Sequence, residues 1–306
     1  MITKGVYPTM ITPYNRDHSI DFGAVRAIVD FYVRRGCAGV FAVCQSSEMA
    51  YLSLRERSAL CEAVVNAAKD KLTVVASGHV SADLEDQAEE LRAMYDAGAQ
   101  AVVLVSNRLA DSGEDDGIWI RRLDALIEAL PQQAVLGMYE CPAPYKRLLT
   151  EKTLGRLAQS GRFAFIKDTC CDAAELRRRL GQLAGSGVKL FNANSATLLD
   201  SLRDGGSGFS GVMANFHPEL YVWLCEHYGE QPETAEKLQA LLTYMSFAES
   251  VCYPVCAKYH MAQGGIAMAT LSRSADEARF NALGRATVDQ IVRLEEMARE
   301  LVNISI

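Results

Sequence analysis

The chain has 306 residues and a formal charge of −7, from 31 Lys and Arg against 38 Asp and Glu. Its 49% apolar and 23% charged residues match an ordinary soluble globular composition, and no basic run exceeds Arg177-Arg178-Arg179, so a nucleic-acid surface is not expected. No stretch approaches the roughly 20 apolar residues of a membrane span, and Met1 to Thr12 holds no apolar run of signal-peptide length, so the expected location is the cytoplasm.

In chain order, short β-type apolar runs fall at Val6–Thr12, Ala38–Val43, Leu72–Ser77, Ala101–Ser106, Ala134–Tyr139, Phe163–Lys167, Lys189–Ala193 and Phe209–Ala214. Each is nearly continuous in hydrophobicity, as parallel strands covered on both faces require, and their ends recur at about the 30 residues of one βα unit. Amphipathic helices are predicted between them. Leu54–Ala68 follows Ser53, a good N-cap, and Asp83–Ala97 stops at Gly98. Asp172–Leu183 and Ala196–Arg203 read the same way. Length alone permits two domains of about 150 residues. Eight strands alternating with helices predict instead one (β/α)8 TIM barrel over residues 1–229, with a C-terminal helical extension over 230–306 packed on it. Pro218–Gly229, Glu233–Gln263 and Ser274–Asn303 carry the remaining helical pattern.

Three features point away from other chemistries. Gly206-Ser-Gly208-Phe-Ser-Gly211 matches the dinucleotide fingerprint, but a helix precedes it and a strand follows, the reverse of the order that fingerprint needs. It reads as a flexible turn between helix and strand. The nine cysteines form no CxxC pair and are expected to be reduced thiols. The five histidines show no close ligand spacing, so no metal is expected.

Barrel active sites lie at the C-terminal ends of the strands. The reactive side chains there are Thr9 and Thr12, the loop Cys44–Glu48, His79, Ser106 and Asn107, Tyr139, Lys167, and Asn194 with Ser195. Lys167 ends a wholly apolar strand. Burial disfavours an ammonium and lowers its pKa, which makes the amine a nucleophile toward a carbonyl such as that of a 2-oxo acid. Tyr139 ends the preceding strand, and adjacent parallel strands would set its phenol beside the lysine as a proton carrier. Backbone amides and the hydroxyls of Ser46 and Ser47 suit a carboxylate.

These residues resemble the pyruvate-dependent Schiff-base aldolase and lyase family that contains dihydrodipicolinate synthase and N-acetylneuraminate lyase. VYPTMITPY at 6–14 resembles its opening strand and T-P-F ending. CQSSEMAYL at 44–52 takes the place of its G-[ST]-[TN]-G-E loop, Tyr139-Glu140-Cys141-Pro142 of its Y-N-x-P motif, FIKD at 165–168 of its lysine motif, and Met213-Ala214-Asn215 of its strand-eight signature. The resemblance implies that Lys167 forms an imine with the substrate, with no other cofactor, and that Tyr139 shuttles protons. It implies that Ser46 and Ser47 bind the pyruvyl carboxylate, with Gln45 at the first hydroxyl position of the loop and Ser210 and Ala193 near the pyruvyl pocket. Thr9, His79 and Arg147, together with Arg108 and Lys146, are further candidate substrate contacts. The small-molecule partner would be a 2-oxo acid and the assembly a homotetramer, a dimer of dimers.

Departures from the family pattern bear on the substrate. Pro144 stands where dihydrodipicolinate synthases carry a carboxylate-binding arginine, and Ser106 where they offer a tyrosine to the neighbouring subunit. Both losses argue against that reaction. The expectation is a class I lyase of aldolase type acting on a 2-keto-3-deoxy sugar acid or a related pyruvate-releasing substrate. The alternatives are a dehydratase using the same imine, a true dihydrodipicolinate synthase, and a non-catalytic binding paralogue.

Overall fold

The computed structural model describes residues 1–304. Its strands are β1 (Gly5–Val6), β2 (Gly39–Ala42), β3 (Thr73–Ala76), β4 (Ala101–Val105), β5 (Leu136–Tyr139), β6 (Phe163–Asp168), β7 (Lys189–Asn192) and β8 (Gly208–Phe209). All pair in parallel, in the order β1-β8-β7-β6-β5-β4-β3-β2. The β1–β2 seam is drawn together by Ala38 N–H to Val6 O (3.1 Å), Phe41 N–H to Pro8 O (2.9 Å) and Met10 N–H to Phe41 O (3.0 Å). With the intervening helices α1 (Phe22–Arg34), α2 (Leu54–Ala68), α3 (Leu84–Asp96), α4 (Asp116–Ala129), α5 (Glu151–Gln159), α6 (Ala173–Leu183), α7 (Leu198–Arg203) and α8 (Pro218–His227), this is a (β/α)8 TIM barrel. Local chemistry agrees with the caps read from sequence. Ser53 and Glu56 form a reciprocal capping box on α2, and Asp83 and Asp172 cap α3 and α6.

The first and last strands are shorter than their apolar runs. Pro8 has no N–H to give to β8, so the chain leaves that partner and bridges to β2 at Thr9. After Phe209 the chain turns into a 3-10 segment, Val212–Asn215, whose Asn215 amide donates to the carbonyls of Thr9 and Val212 at 2.9 Å each. The glycines of the discarded dinucleotide motif belong to this seam. Gly208 has φ +138°, and a Cβ there would lie 1.9 Å from the Gly5 carbonyl oxygen, so it is a close-packing residue inside β8 rather than part of a flexible turn.

Three helices follow the barrel: α9 (Pro232–Met245), α10 (Val255–Gln263) and α11 (Ala282–Leu301). The helix expected over Glu233–Gln263 is interrupted. Ser246 and Ser250 turn their hydroxyls onto the carbonyls three residues back, and Pro254 lacks the amide that would continue the helix. A 3-10 turn, Ser246–Ser250, and a short link to Pro254 result. The helix expected from Ser274 begins only at Ala282, capped by Asn281, because residues 272–274 are held by Glu48 instead. No helix among the described residues is long and apolar enough to cross a membrane, and all nine cysteines are free thiols.

Candidate active site

Four aromatic rings fill the barrel below its C-terminal rim. Phe165 stacks on Phe191 at 4.8 Å between centroids, Tyr7 meets Phe191 edge-on at 4.8 Å, and Phe41 meets Phe165 at 5.8 Å. Side chains alternate along β6, so the residue two beyond Phe165 emerges on the same inner face, one layer higher. That residue is Lys167. The β5–β6 register pairs it with Tyr139, and its Nζ lies 4.4 Å from the centre of the Tyr139 ring and 5.8 Å from that of Phe41.

Lys167 is only 4% exposed and has no ion-pair partner among the described residues. Burial pushes its pKa below the ordinary lysine range; Cys44, Cys141 and Glu249 pull it part of the way back. Asp168, its neighbour in sequence, faces the other way and is bound by Arg179, which also holds Glu140 at 2.7 Å and Glu175 at 2.8 Å. The lysine is therefore left without a salt bridge among the described residues. The Tyr139 hydroxyl donates to Gln45 Oε1 at 3.4 Å, and the Cys141 thiol donates to the same oxygen at 3.0 Å. Burial holds the Tyr139 phenol well above its ordinary range, so it carries its proton until a reaction step calls for it.

The loop after β2 is bent by two left-handed residues, Val43 at φ +47° and Glu48 at φ +61°. A β-branched residue rarely adopts this conformation, and such strain, of order 1–3 kcal/mol, persists only where the surroundings impose it. Here the loop is anchored from several sides. Ser47 accepts from the Cys44 amide at 3.1 Å and donates to the Met10 carbonyl at 2.6 Å, and Thr12 donates to the Ser47 carbonyl at 2.7 Å. Glu48 receives Lys258 Nζ at 2.9 Å, the Ser272 hydroxyl at 2.8 Å and the amides of Arg273 and Ser274 at 2.6 and 2.8 Å.

A cavity of about 640 Å³ opens over Lys167, within the usual range for small-molecule sites. Of the residues singled out in the sequence, it brings together Lys167, Tyr139, Gln45, Ser46 and Ala193, with Arg108, Lys146 and Pro144 farther along the wall. Others lie outside it. Ser47 spends its hydroxyl inside the loop. Thr9 sits behind Ser46, accepting its hydroxyl at 3.2 Å. Ser210 is fully buried with no partner for its hydroxyl among the described residues. His79 is also fully buried: its Nδ1 accepts the Val105 amide and its Nε2 donates to Gln87, each at 2.9 Å. Burial takes its pKa down to about 4. Arg147 points away along the outer face, bonding the carbonyls of Asp111 and Glu114 and pairing with Asp116 at 3.3 Å.

Among the lining residues that escaped the sequence reading, two polar ones come from the link between α9 and α10. Tyr253 reaches into the cavity, accepts from the Asn215 amide at 3.1 Å, and lies against the hydroxyls of Ser46 and Thr9. Glu249, an exposed residue, also lines the wall. The only sequence cue to either was Pro254, which breaks the expected helix and lets the chain dip toward the barrel mouth.

A sequence model of the dihydrodipicolinate synthetase family matches residues 2–275. The chain belongs to that family. This places it among proteins of the dihydrodipicolinate synthase type. Among similar proteins is a 4-hydroxy-tetrahydrodipicolinate synthase of Saccharophagus degradans, 28% identical over 272 residues, covering 86% of this chain and 89% of the relative. Similar solved folds include a prophage protein of the dihydrodipicolinic acid synthase family from E. coli K12 in complex with pyruvate (TM-score 0.86, 19% identity, 97% of this chain and 99% of that one). The Ruminococcus gnavus sialic acid aldolase is comparable (TM-score 0.85, 19% identity, 98% and 99%). Dihydrodipicolinate synthetase family membership agrees with the resemblance read from the lysine and tyrosine motifs.

Proposed function

We propose that this protein is a class I lyase of aldolase type that forms an imine between Lys167 and a 2-oxo acid. The observation that carries the reading is the pairing, by strand register, of a buried lysine that forms no salt bridge among the described residues with a buried protonated phenol at the mouth of the barrel. A desolvated amine is unprotonated over a wider pH range and attacks a ketone. Loss of water from the carbinolamine gives an iminium, which accepts the electron pair of a bond breaking at C3. Tyr139 is placed to pass protons to and from the carbinolamine and the enamine, with Gln45 orienting its hydroxyl. Ser46 and Tyr253 offer hydroxyls to the pyruvyl carboxylate. The reaction as proposed calls for no further cofactor.

A 2-keto-3-deoxy sugar acid, or a related substrate that releases pyruvate, suits a wall that carries Gln45, Asn194, Arg108 and Lys146. Pro144 in place of the carboxylate-binding arginine favours this over dihydrodipicolinate synthesis. Elimination of water from the same iminium is the second reading, supported by the same lysine. Assembly as a homotetramer belongs to the proposal, and the exposed side chains Tyr244 (74%) and Phe247 (66%) offer apolar surface to a partner copy.

The test is covalent trapping. With pyruvate and borohydride, mass spectrometry of the wild-type protein is expected to show a reduced pyruvyl adduct on Lys167. The adduct should disappear in Lys167→Ala. It should persist in Tyr139→Phe while turnover drops by roughly 10²- to 10⁴-fold, the usual contribution of a positioned proton donor. Absence of an adduct in the wild-type protein with pyruvate and other 2-oxo acids would sink the imine reading.

A further inference from the structure

Asn215 ends the 3-10 segment Val212–Asn215 behind the cavity wall and is fully buried. Its Nδ2 lies 2.9 Å from the Thr9 carbonyl oxygen and 2.9 Å from that of Val212. A carbonyl only accepts, so these two contacts fix which end of the carboxamide is nitrogen. The other end, Oδ1, takes the hydroxyl of Tyr32 on α1 at 2.6 Å. Tyr32 is also fully buried, and its hydroxyl has no other partner among the described residues, so it donates.

Tyr253 meets the same amide nitrogen at 3.1 Å. Facing an N–H, its hydroxyl oxygen accepts, and the phenolic proton is left to be given elsewhere. Tyr253 and Ser46 both line the cavity, and the Ser46 hydroxyl is directed at Thr9 Oγ1 at 3.2 Å. Thr9, Ser46, Asn215 and Tyr253 thus bring β1, the loop after β2, the segment after β8 and the α9–α10 link to one corner of the cavity.

We propose that Tyr32 and Asn215 are positioning residues that hold the Tyr253 hydroxyl as a one-way donor to the carboxylate of the 2-oxo acid. An ionised carboxylate only accepts, and a hydrogen bond to it is roughly twice as strong as one between neutral groups. A hydroxyl that cannot turn to accept from the ligand is matched to it. Three acceptors, the carbonyls of Thr9 and Val212 and the Tyr253 hydroxyl, share the two N–H groups of Asn215. The bond from Tyr32 holds the carboxamide where it reaches all three. Without that bond the amide is free to settle on the two carbonyls and withdraw from Tyr253, whose hydroxyl then rotates. The inference rests on imine formation at Lys167 and extends the carboxylate subsite to a side chain on the outer ring of helices.

The experiment is the exchange of pyruvate methyl protons with D2O, followed by NMR over a range of pyruvate concentrations so that KM and kcat separate. Tyr253→Phe is expected to raise KM roughly tenfold or more, the loss of a hydrogen bond to a charged group. Tyr32→Phe, which keeps the ring and removes only the buried hydroxyl, is expected to raise KM about three- to tenfold with kcat within about threefold of wild type. The double variant should have the KM of Tyr253→Phe alone within about twofold, because Tyr32 acts through Tyr253. Wild-type KM in either single variant overturns the proposal. So does a fall in kcat at unchanged KM in Tyr32→Phe, and so do effects that multiply in the double variant, as two unconnected losses would. If Tyr32→Phe does not fold, Tyr253→Phe alone still decides whether the hydroxyl serves the carboxylate. A wild-type protein that neither exchanges nor traps pyruvate overturns the imine reading, and this assignment with it.

Discussion

The rim of the barrel divides into two sectors that look alike in sequence and differ in hydrogen-bond occupancy. At the ends of β3 and β4, His79 and Asn107 are polar residues in the expected place for catalysis. Yet His79 uses both ring nitrogens on protein partners, and the Asn107 amide donates to the carbonyls of Cys141, Ala143 and Tyr145. Trp119 closes the same sector by donating to the Ser106 carbonyl at 2.9 Å. At the ends of β5 and β6, buried Lys167 has no ion-pair partner among the described residues and Tyr139 has one weak acceptor. Buried polar groups are ordinarily satisfied. A cavity-lining amine or phenol short of partners is held ready for a ligand, whereas the His79 ring and the Asn107 amide nitrogen are consumed as scaffold; the buried Ser77 and Ser106 hydroxyls and Asn107 Oδ1 also lack partners among the described residues, but they lie outside the cavity.

Glu48 tests this distinction most severely, because it lines the cavity but is saturated. Lys258 is completely buried and Glu48 is its only carboxylate partner among the described residues. Removing one member of a buried pair leaves an uncompensated charge, at a typical cost of 3–5 kcal/mol. Glu48→Ala is expected to lower stability by about that amount in urea unfolding and to release residues 272–274 to proteolysis. The double variant Glu48→Met/Lys258→Met should recover much of the loss. A Glu48 variant that unfolds like wild type but has lost turnover would break the division between saturated scaffold and free chemistry.

His79 is a milder test. His79→Ala leaves the Val105 amide and the Gln87 oxygen without partners, at roughly 1–3 kcal/mol for the lost hydrogen bonding. The expected result is a lower urea midpoint, with kcat/KM of the remaining folded protein within about threefold of wild type. A hundredfold fall in kcat/KM at unchanged stability would move His79 into the site and redraw the boundary between the sectors.

The fold was legible because its signal is local and repeated. Apolar runs alternate with capped amphipathic stretches, and Lys167 is conspicuous as the one cation closing an apolar strand. Tyr139 followed from the spacing of adjacent strands. The limits were physical. Whether a strand-end residue is free or consumed is a tertiary fact, so His79, Ser47 and Arg147 read like Gln45 and Ser46 although only the latter two line the cavity. Glu249 and Tyr253 lie more than 80 residues beyond Lys167, in a segment whose approach to the barrel depends on where α9 stops. The periodicity of α9 runs on into α10, and only Pro254 marks the break.

The smallest effect concerns the outward face of the reactive strands. Glu140 and Asp168 follow Tyr139 and Lys167 in sequence, alternate to the opposite face, and share Arg179. Glu140 accepts from the Leu149 amide at 2.6 Å and the Thr169 amide at 2.8 Å, and Arg179 also donates to the Leu149 carbonyl and to Glu175. Burial and the nearby charge of Asp168 push the Glu140 carboxyl up to about 7, against the opposing pull of Arg179 and the two amides. A raised folded-state pKa means the folded protein binds this proton more tightly than the unfolded chain does. Its contribution to stability is complete below the ordinary carboxylate pKa and is lost as pH rises through about 7, with an upper bound of roughly 3 kcal/mol. In Glu140→Gln the fall in stability between about pH 4.5 and pH 7 should flatten, as read by urea unfolding at a series of pH values. kcat/KM should change little, because the group faces away from the cavity. An unchanged slope in the variant would mean that Glu140 is ionised throughout, the amides and Arg179 outweighing the burial. The Glu140 carboxylate would then be consumed as scaffold in the same sense as the His79 ring.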